Sequence, residues 1–272
     1  MPVVTGYSLS AAPFRTMPPE EVLSRMADAG VRVLELHVAE NWLDPTSPAR
    51  QSKLARLLAR YGITPGSVHT QYGAETNLAA RDEALRREGM RLVTWGARAL
   101  FDVGGRVAVM HPGQAIADAE RPAAVQAVRW SLEELVEITT GFPVTLAVEN
   151  MLPGHAGDRA SELVAMMAGM PERVAFCLDT GHAALNPEGV RLAEPLADRL
   201  RWVHLQDNVG SGDAHMLPFT GQIDWRAVAQ ILDQARYQGP YLFELSAAAA
   251  EDAVPQLVGT AQRLDGLRRR GR

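Results

Sequence analysis

Glu149 and Glu244 each close an apolar run, Leu146-Ala147-Val148 and Tyr241-Leu242-Phe243. An ionised carboxylate at the end of a buried segment is costly without a partner. Residues able to partner it recur in matching settings. His69 ends ITPGSVH, His111 ends VAVMH, Asp179 ends VAFCLD with His182 three residues on, and His204 sits in RWVHLQD. Asp213 and His215 follow in the next loop. Taken singly, each has an ordinary reading. Asp179 would serve as a helix cap, His-Pro-Gly at 111–113 as a turn, and His69 as a satisfied loop histidine. Their recurrence at equivalent places favours another chemistry. Imidazole nitrogens and carboxylate oxygens together suit zinc, manganese or a related divalent ion, and Asp179 is then a metal ligand rather than a cap.

Neighbouring residues carry less. Glu35 and His37 in VRVLELHV read as a residue lining the site and a supporting residue behind it. Cys177 shares the face of Asp179 and is expected to pack beneath it. His155, in MLPGHAGD, reads as an ordinary exposed loop residue. Trp95, Trp130, Met166, Met167 and Met170 fall in or beside helical patterns and are expected to pack. Trp225 follows a capping Asp224 and is expected to pack its helix inward.

Such a site needs elements that bring its residues together. Strand-like runs are expected at 3–10, 31–38, 63–70, 107–112, 144–151, 174–180, 201–207 and 241–246. Helical patterns fall at 18–30, 47–62, 80–100, 120–139, 159–169, 191–199, 224–239 and 250–268. Ser47, Pro48 and Gly62 give the second helix an N-cap, a first-turn proline and a glycine stop. Pro65 and Gly66 weaken the third strand. The strands are apolar on both faces, as parallel strands covered by helices are. Eight such units form an α/β chain, a single (β/α)₈ TIM barrel over 1–272, with a frayed tail at 268–272. In a barrel the C-terminal strand ends share one face, where active sites lie. The competing open doubly wound sheet would carry a glycine-rich loop after the first strand, and GYSLSAAPF has none.

Composition narrows the function. The 272 residues are 47% hydrophobic, carry a net charge of -5 and include one cysteine. An intrachain disulfide and a cysteine-rich metal cluster are excluded. The acidic balance provides no global field for nucleic acid. No apolar run is long enough for a membrane span. The opening MPVVTGYSLS does not read as a signal peptide, so the cytoplasm is the expected location.

The motifs HTQY (69–72), HPG (111–113), EN (149–150), DTGH (179–182), HLQDN (204–208), D-A-H (213–215), GQIDW (221–225) and FEL around Glu244 occur in this order across nearly the whole chain. The chain thereby resembles the xylose-isomerase-like barrel superfamily, which holds sugar isomerases and epimerases and the endonuclease IV type of abasic-site nucleases. The resemblance implies Glu149, Asp179, His204 and Glu244 around one ion, as in the epimerase branch. In the nuclease branch it implies a second group, His69, His111 and Glu149, and a third, His182, Asp213 and His215. One to three ions, zinc or manganese, are thus implied. The late loop FTGQIDW and the first strand end GYSLS depart from the nuclease pattern (G-E-G and A-H-V-S). From the epimerase pattern the chain lacks a glutamate shortly after Glu149, where His155 stands, and an arginine after His204, near Gly210.

Two reactions stay open at this level. In the first, the chain is an isomerase or epimerase of a sugar, sugar phosphate, inosose or polyol. Glu149 and Glu244 move the proton from opposite sides, and His182 assists. In the second, a multinuclear centre hydrolyses a phosphodiester, and nucleic acid is the partner. Oligomeric state is open in both.

Overall fold

Strand and helix alternate because short apolar β-rich runs are punctuated by capped amphipathic segments. The computed structural model describes residues 6–270. Strands β1 (Tyr7–Ser10), β2 (Val33–His37), β3 (Thr64–His69), β4 (Val107–Met110), β5 (Thr145–Glu149), β6 (Val174–Asp179), β7 (Leu200–Leu205) and β8 (Tyr241–Phe243) pair in sequence order, all parallel, and β8 closes on β1. This is the expected (β/α)₈ barrel. The part of the first expected strand at 3–5 lies outside the described residues.

Helices α1 (Pro19–Asp28), α2 (Pro48–Tyr61), α3 (Glu83–Asp102), α4 (Arg121–Ile138) and α5 (Ala160–Met167) follow the first five strands. α6 (Thr180–Leu185) follows β6, α7 (Trp225–Gln234) follows β7, and α8 (Ala247–Ala253) and α9 (Leu257–Arg270) follow β8. The signals of the second helix act as written. Ser47 Oγ accepts from Arg50 N, Pro48 opens the helix, and Gly62 closes it at φ 62°. Asp224 caps α7 through the amides of Arg226 and Ala227, and Trp225 is buried.

Several expectations are corrected. The short helix expected at 191–199 is present, as a 3₁₀ helix over Gly189–Arg199 with Pro195 inside it; proline provides no amide for an i→i−4 bond. Pro255 likewise divides the last helical region into α8 and α9. Trp95 and Trp130 do not pack into the core: they are 40% and 53% exposed. The Arg91 guanidinium lies 4.0 Å from the Trp95 ring centroid, covering that indole with a cation rather than with core. Met166, Met167 and Met170 are buried as expected.

Two register shifts aim the polar strand ends. Between β2 and β3, Leu34 pairs with Pro65 but Glu35 pairs with Ser67, so Gly66 is the extra residue. A Cβ on Gly66 would lie 2.5 Å from Val33 Cγ1 and 2.9 Å from Trp202 Cη2, so only glycine fits without movement. Pro65 and Gly66, which weaken the strand on paper, set the bulge that turns Glu35 and Ser67 toward each other. Between β6 and β7 a second shift places Asp179 opposite His204.

Inside the barrel, Val109, Ala147, Cys177, Trp202 and Leu242 form a small apolar plug. Two residues further along their strands come His111, Glu149, Asp179, His204 and Glu244. Alternation along each strand therefore seats the polar layer on the plug.

The C-terminal expectation also changes. α9 runs to Arg270, and Arg268 is 1% exposed. Its Nε donates to Asp233 Oδ1 at 2.8 Å, and its Nη atoms donate to the Tyr241 hydroxyl at 3.0 Å and the Tyr237 carbonyl at 3.1 Å. The start of the supposed frayed tail is thus a buried clamp on β8, because the guanidinium fork reaches four acceptors at once, the Leu232 carbonyl being the fourth; 271–272 lie outside the described residues. Arg268→Ala should cost about 1.5–3 kcal/mol, the range for hydrogen bonds to a charged group, and Arg268→Lys should recover only part of it. Thermal unfolding followed by circular dichroism checks both.

Candidate metal centre

The polar strand ends converge at the mouth of the barrel. His204, on β7 and fully buried, is the hub. Its Nδ1 lies 2.9 Å from Glu149 Oε1 of β5 and 3.1 Å from Glu244 Oε2, one residue past β8. Its Nε2 lies 3.1 Å from Glu35 Oε2 of β2. One donor atom each of Glu149, Asp179, His204 and Glu244 fall within 4.8 Å of one another. The set His69, His111 and Glu149 meets the same condition, as do His69, His204 and Glu244, and Glu35, His37 and Glu244.

The remaining expected residues are near but arranged differently. His182 Nε2 and His215 Nε2 approach the same oxygen, Asp213 Oδ2, at 3.4 and 2.9 Å. They flank the carboxylate; among the described residues, His182, Asp213 and His215 do not form a third group with mutually close donor atoms. Gln206 joins the two regions. Its Nε2 donates to both Asp179 oxygens and, at 2.9 Å, to Asp213 Oδ1, and its Oε1 accepts from the His215 amide. Gly181 is required beside it, since a Cβ there would lie 2.3 Å from Cδ of Gln206.

Asp179 is both cap and candidate ligand. Its Oδ1 accepts from the His182 amide at 2.7 Å, opening α6, while the side chain also belongs to the four-residue group. The contrast drawn from sequence therefore dissolves: a carboxylate with two oxygens serves both ends.

The hydrogen bonds of three histidines fix their tautomers. Nδ1 of His69 faces the Thr70 carbonyl at 2.9 Å, that of His182 the Asn150 carbonyl at 2.9 Å, and that of His215 the Glu244 carbonyl at 3.2 Å. A carbonyl only accepts, so each Nδ1 carries a proton. In the neutral ring, Nε2 is then a lone pair, and in all three it points at a carboxylate oxygen. Lone pairs face one another at these contacts, and only a proton or a metal cation makes them attractive. Glu149 Oε2 gives the same result. It is buried and makes no hydrogen bond, although Nε2 of His69 and His111 stand 3.4 and 3.3 Å away. The donor set fits a divalent cation.

Protons fill the role where no cation is bound. Burial lowers the His69 pKa, but Glu149 outweighs it and raises His69 to about 9. Burial likewise opposes the charge on His215, and Asp213 raises it to about 9. His204 is raised well above the usual range against a large burial penalty by the negative groups around it. Glu149 is held well below a normal carboxylate despite burial, chiefly by the charge of His204. Asp179 moves the other way, to about 6, because burial and the neighbouring carboxylates outweigh His182. His37 falls to about 4 through burial and the charge of His69.

Above this layer opens a cavity of 620 Å³, whose walls include His37, Tyr72, His155, His182 and Met151. His155 was expected to be plainly exposed; it is half-buried and lines the cavity, with a buried Nδ1 that has no partner. Glu35 and His37 exchange their expected places. Glu35 lies fully buried behind His204, whereas His37 reaches the cavity. Cys177 packs beneath Asp179 as expected. Two residues were not found from sequence. Arg15, from the loop after β1, is the single arginine in the cavity wall among the described residues, and nothing in its sequence surroundings signals it. Ser67 lies beside Glu35; its position two residues before His69 was a usable sign that they share a face.

The comparisons with known proteins agree with this architecture. A D-tagatose 3-epimerase-like protein superposes with a TM-score of 0.80 at 20% identity, over 95% of this chain and 99% of that one. D-psicose 3-epimerase from Clostridium cellulolyticum H10, solved with D-tagatose, gives 0.76 at 16%, over 97% and 98%. Among curated sequences, a probable endonuclease 4 of Oleidesulfovibrio alaskensis is 31% identical over 169 residues, 56% of this chain and 52% of that protein. The chain spans 33% and 59% of the lengths of two other curated relatives. The family model for the xylose-isomerase-like TIM barrel matches residues 23–269, and with that match across the barrel the chain belongs to this family.

Proposed function

We propose that the chain is a divalent-metal-dependent epimerase or isomerase acting on a sugar, sugar phosphate or inosose. The observation that carries this reading is the meeting of Glu149 and Glu244 on one imidazole nitrogen of His204, at the floor of a cavity large enough for a sugar. The solved structures that the fold resembles include a D-tagatose 3-epimerase-like protein and a D-psicose 3-epimerase, which supports the same substrate class.

Glu149, Asp179, His204 and Glu244 would hold the ion. When bound, it would polarise the carbonyl and a neighbouring hydroxyl oxygen and offset the charge that develops as the adjacent C–H ionises. Glu149 and Glu244 both line the cavity, and both are held as carboxylates by His204 although burial opposes it. Each is therefore able to accept a proton from carbon. One takes the proton from one face of the substrate carbon, and the other returns a proton to the opposite face. His182 presents Nε2 beside Asp213 and hydrogen-bonds a substrate hydroxyl.

A second reading has its own observation. His69 and His111 approach the free oxygen of Glu149, which would let Glu149 bridge a second ion, as phosphodiester hydrolysis by a multinuclear centre requires. The two readings separate in one screen of the metal-loaded protein, against ketoses and inososes in one arm and abasic-site DNA in the other. Solvent deuterium should enter the sugar carbon next to the carbonyl. Glu149→Gln and Glu244→Gln should each lower turnover at least 100-fold, in line with the loss of a general base. Cleavage of DNA without sugar exchange would select the hydrolase.

Metal binding should also release protons. His204 is raised well above the ordinary imidazole range and Asp179 to about 6 in the metal-free chain, whereas ligation requires a free donor atom on each. Raised pKa values favour the protonated forms at low pH, so metal affinity should rise as the pH is raised from about 5. Calorimetric titration of zinc in buffers of different ionisation enthalpy measures the protons released; zero release at pH 7 would contradict this account.

A further inference from the structure

His204 differs from the other site histidines in what orients it. His69, His182 and His215 each give a ring N–H to a backbone carbonyl. His204 instead points Nε2 at a fully buried carboxylate, Glu35 Oε2, at 3.1 Å. The same oxygen accepts the Ser67 hydroxyl at 2.7 Å. Glu35 therefore cannot swing away without giving up two bonds, and the Gly66 bulge fixes it opposite Ser67. An ionised carboxylate only accepts, so Glu35 holds a proton on Nε2. Nδ1 faces two further carboxylates, Glu149 and Glu244, where a second proton sits in the metal-free chain and where a bound cation would take the lone pair instead.

We propose that Glu35 is a positioning residue for the metal centre: it takes the Nε2–H of His204, holds the Nδ1 lone pair on the ion, and is itself held by Ser67. This rests on the reading that Glu149, Asp179, His204 and Glu244 hold a divalent ion. Glu35 touches neither that ion nor the substrate. It acts through the imidazole, fixing its tautomer and plane and raising its strength as a ligand, as carboxylate partners of metal-bound histidines do. Glu35 has a second group of neighbours. Its other oxygen, Oε1, is buried without a hydrogen bond, 3.9 Å from His37 Nε2, and Glu35, His37 and Glu244 have mutually close donor atoms. The two bonds already made by Oε2 favour the positioning role, and the experiment separates the two.

The test uses cobalt(II) as the probe in the full-length protein, with affinity measured by chelator competition and geometry by the visible d–d spectrum. Glu35→Gln keeps the volume, but its amide no longer enforces a proton on Nε2. It should bind cobalt about 10–100-fold more weakly, with a changed spectrum. Ser67→Ala should shift affinity in the same direction by less, which keeps the idea testable if Glu35→Gln fails to fold. In the zinc-loaded wild type, ¹⁵N NMR should find the His204 proton on Nε2. Wild-type affinity and spectrum in a folded Glu35→Gln protein would overturn the inference alone. So would loss of one of two bound ions with the remaining spectrum unchanged, which would make Glu35 a ligand of its own site. A wild-type chain that takes up no divalent ion would overturn the proposed function and this inference with it.

Discussion

Four carboxylates, those of Glu35, Glu149, Asp179 and Glu244, are buried at one end of the barrel, above a small apolar plug. The cost of desolvating one such charge is several kcal/mol even after relaxation. The mouth of this barrel is organised around meeting that cost. Histidines stand opposite the carboxylates, and backbone carbonyls fix the rings so that nitrogen lone pairs face carboxylate oxygens. The arrangement needs positive charge between the facing atoms, whether protons or a metal ion. Raised histidines and lowered glutamates are two expressions of that need. Asp179, raised instead, lies where negative charge exceeds the available imidazolium.

Backbone irregularity does much of the aiming. A regular β2–β3 ladder would not set Glu35 against Ser67. The extra residue at Gly66 does so, and it is tolerated because a glycine leaves room for Val33 and Trp202. The β6–β7 shift does the same for Asp179 and His204. Gln206 then joins Asp179 to Asp213, linking the four-residue group to the His182 side of the cavity. The site is thus one hydrogen-bonded body, in which moving one side chain disturbs the orientation of several. Such coupling fixes the relative positions of the side chains, and it leaves His182, Asp213 and His215 engaged with one another.

Much of this was legible before folding. Eight alternating units, the cap at Ser47 and the polar strand ends were visible because each depends on local sequence. The apolar run before Glu149 and before Glu244 already marked those carboxylates as costly. What misled was equally local. Pro65 and Gly66 read as weakening a strand, Trp95 and Trp130 as packing residues, and the arginine-rich end as frayed. Each depends on what lies across the fold, which no window of sequence contains: Trp202 beside Gly66, Arg91 over Trp95, and Asp233 with Tyr241 around Arg268.

By itself, the sequence determined the barrel class and which residue types gather at its mouth, because strand alternation and chain order are encoded residue by residue. Tertiary structure alone decided which atoms face which. It placed Glu35 behind His204 and His37 in the cavity, made Asp179 cap and candidate ligand at once, and seated His182 and His215 on one oxygen of Asp213. The physical reason is that tautomer, charge and ligand geometry depend on contacts of 3 to 4 Å between strands distant in sequence. Closure of the barrel and its two register shifts set those contacts.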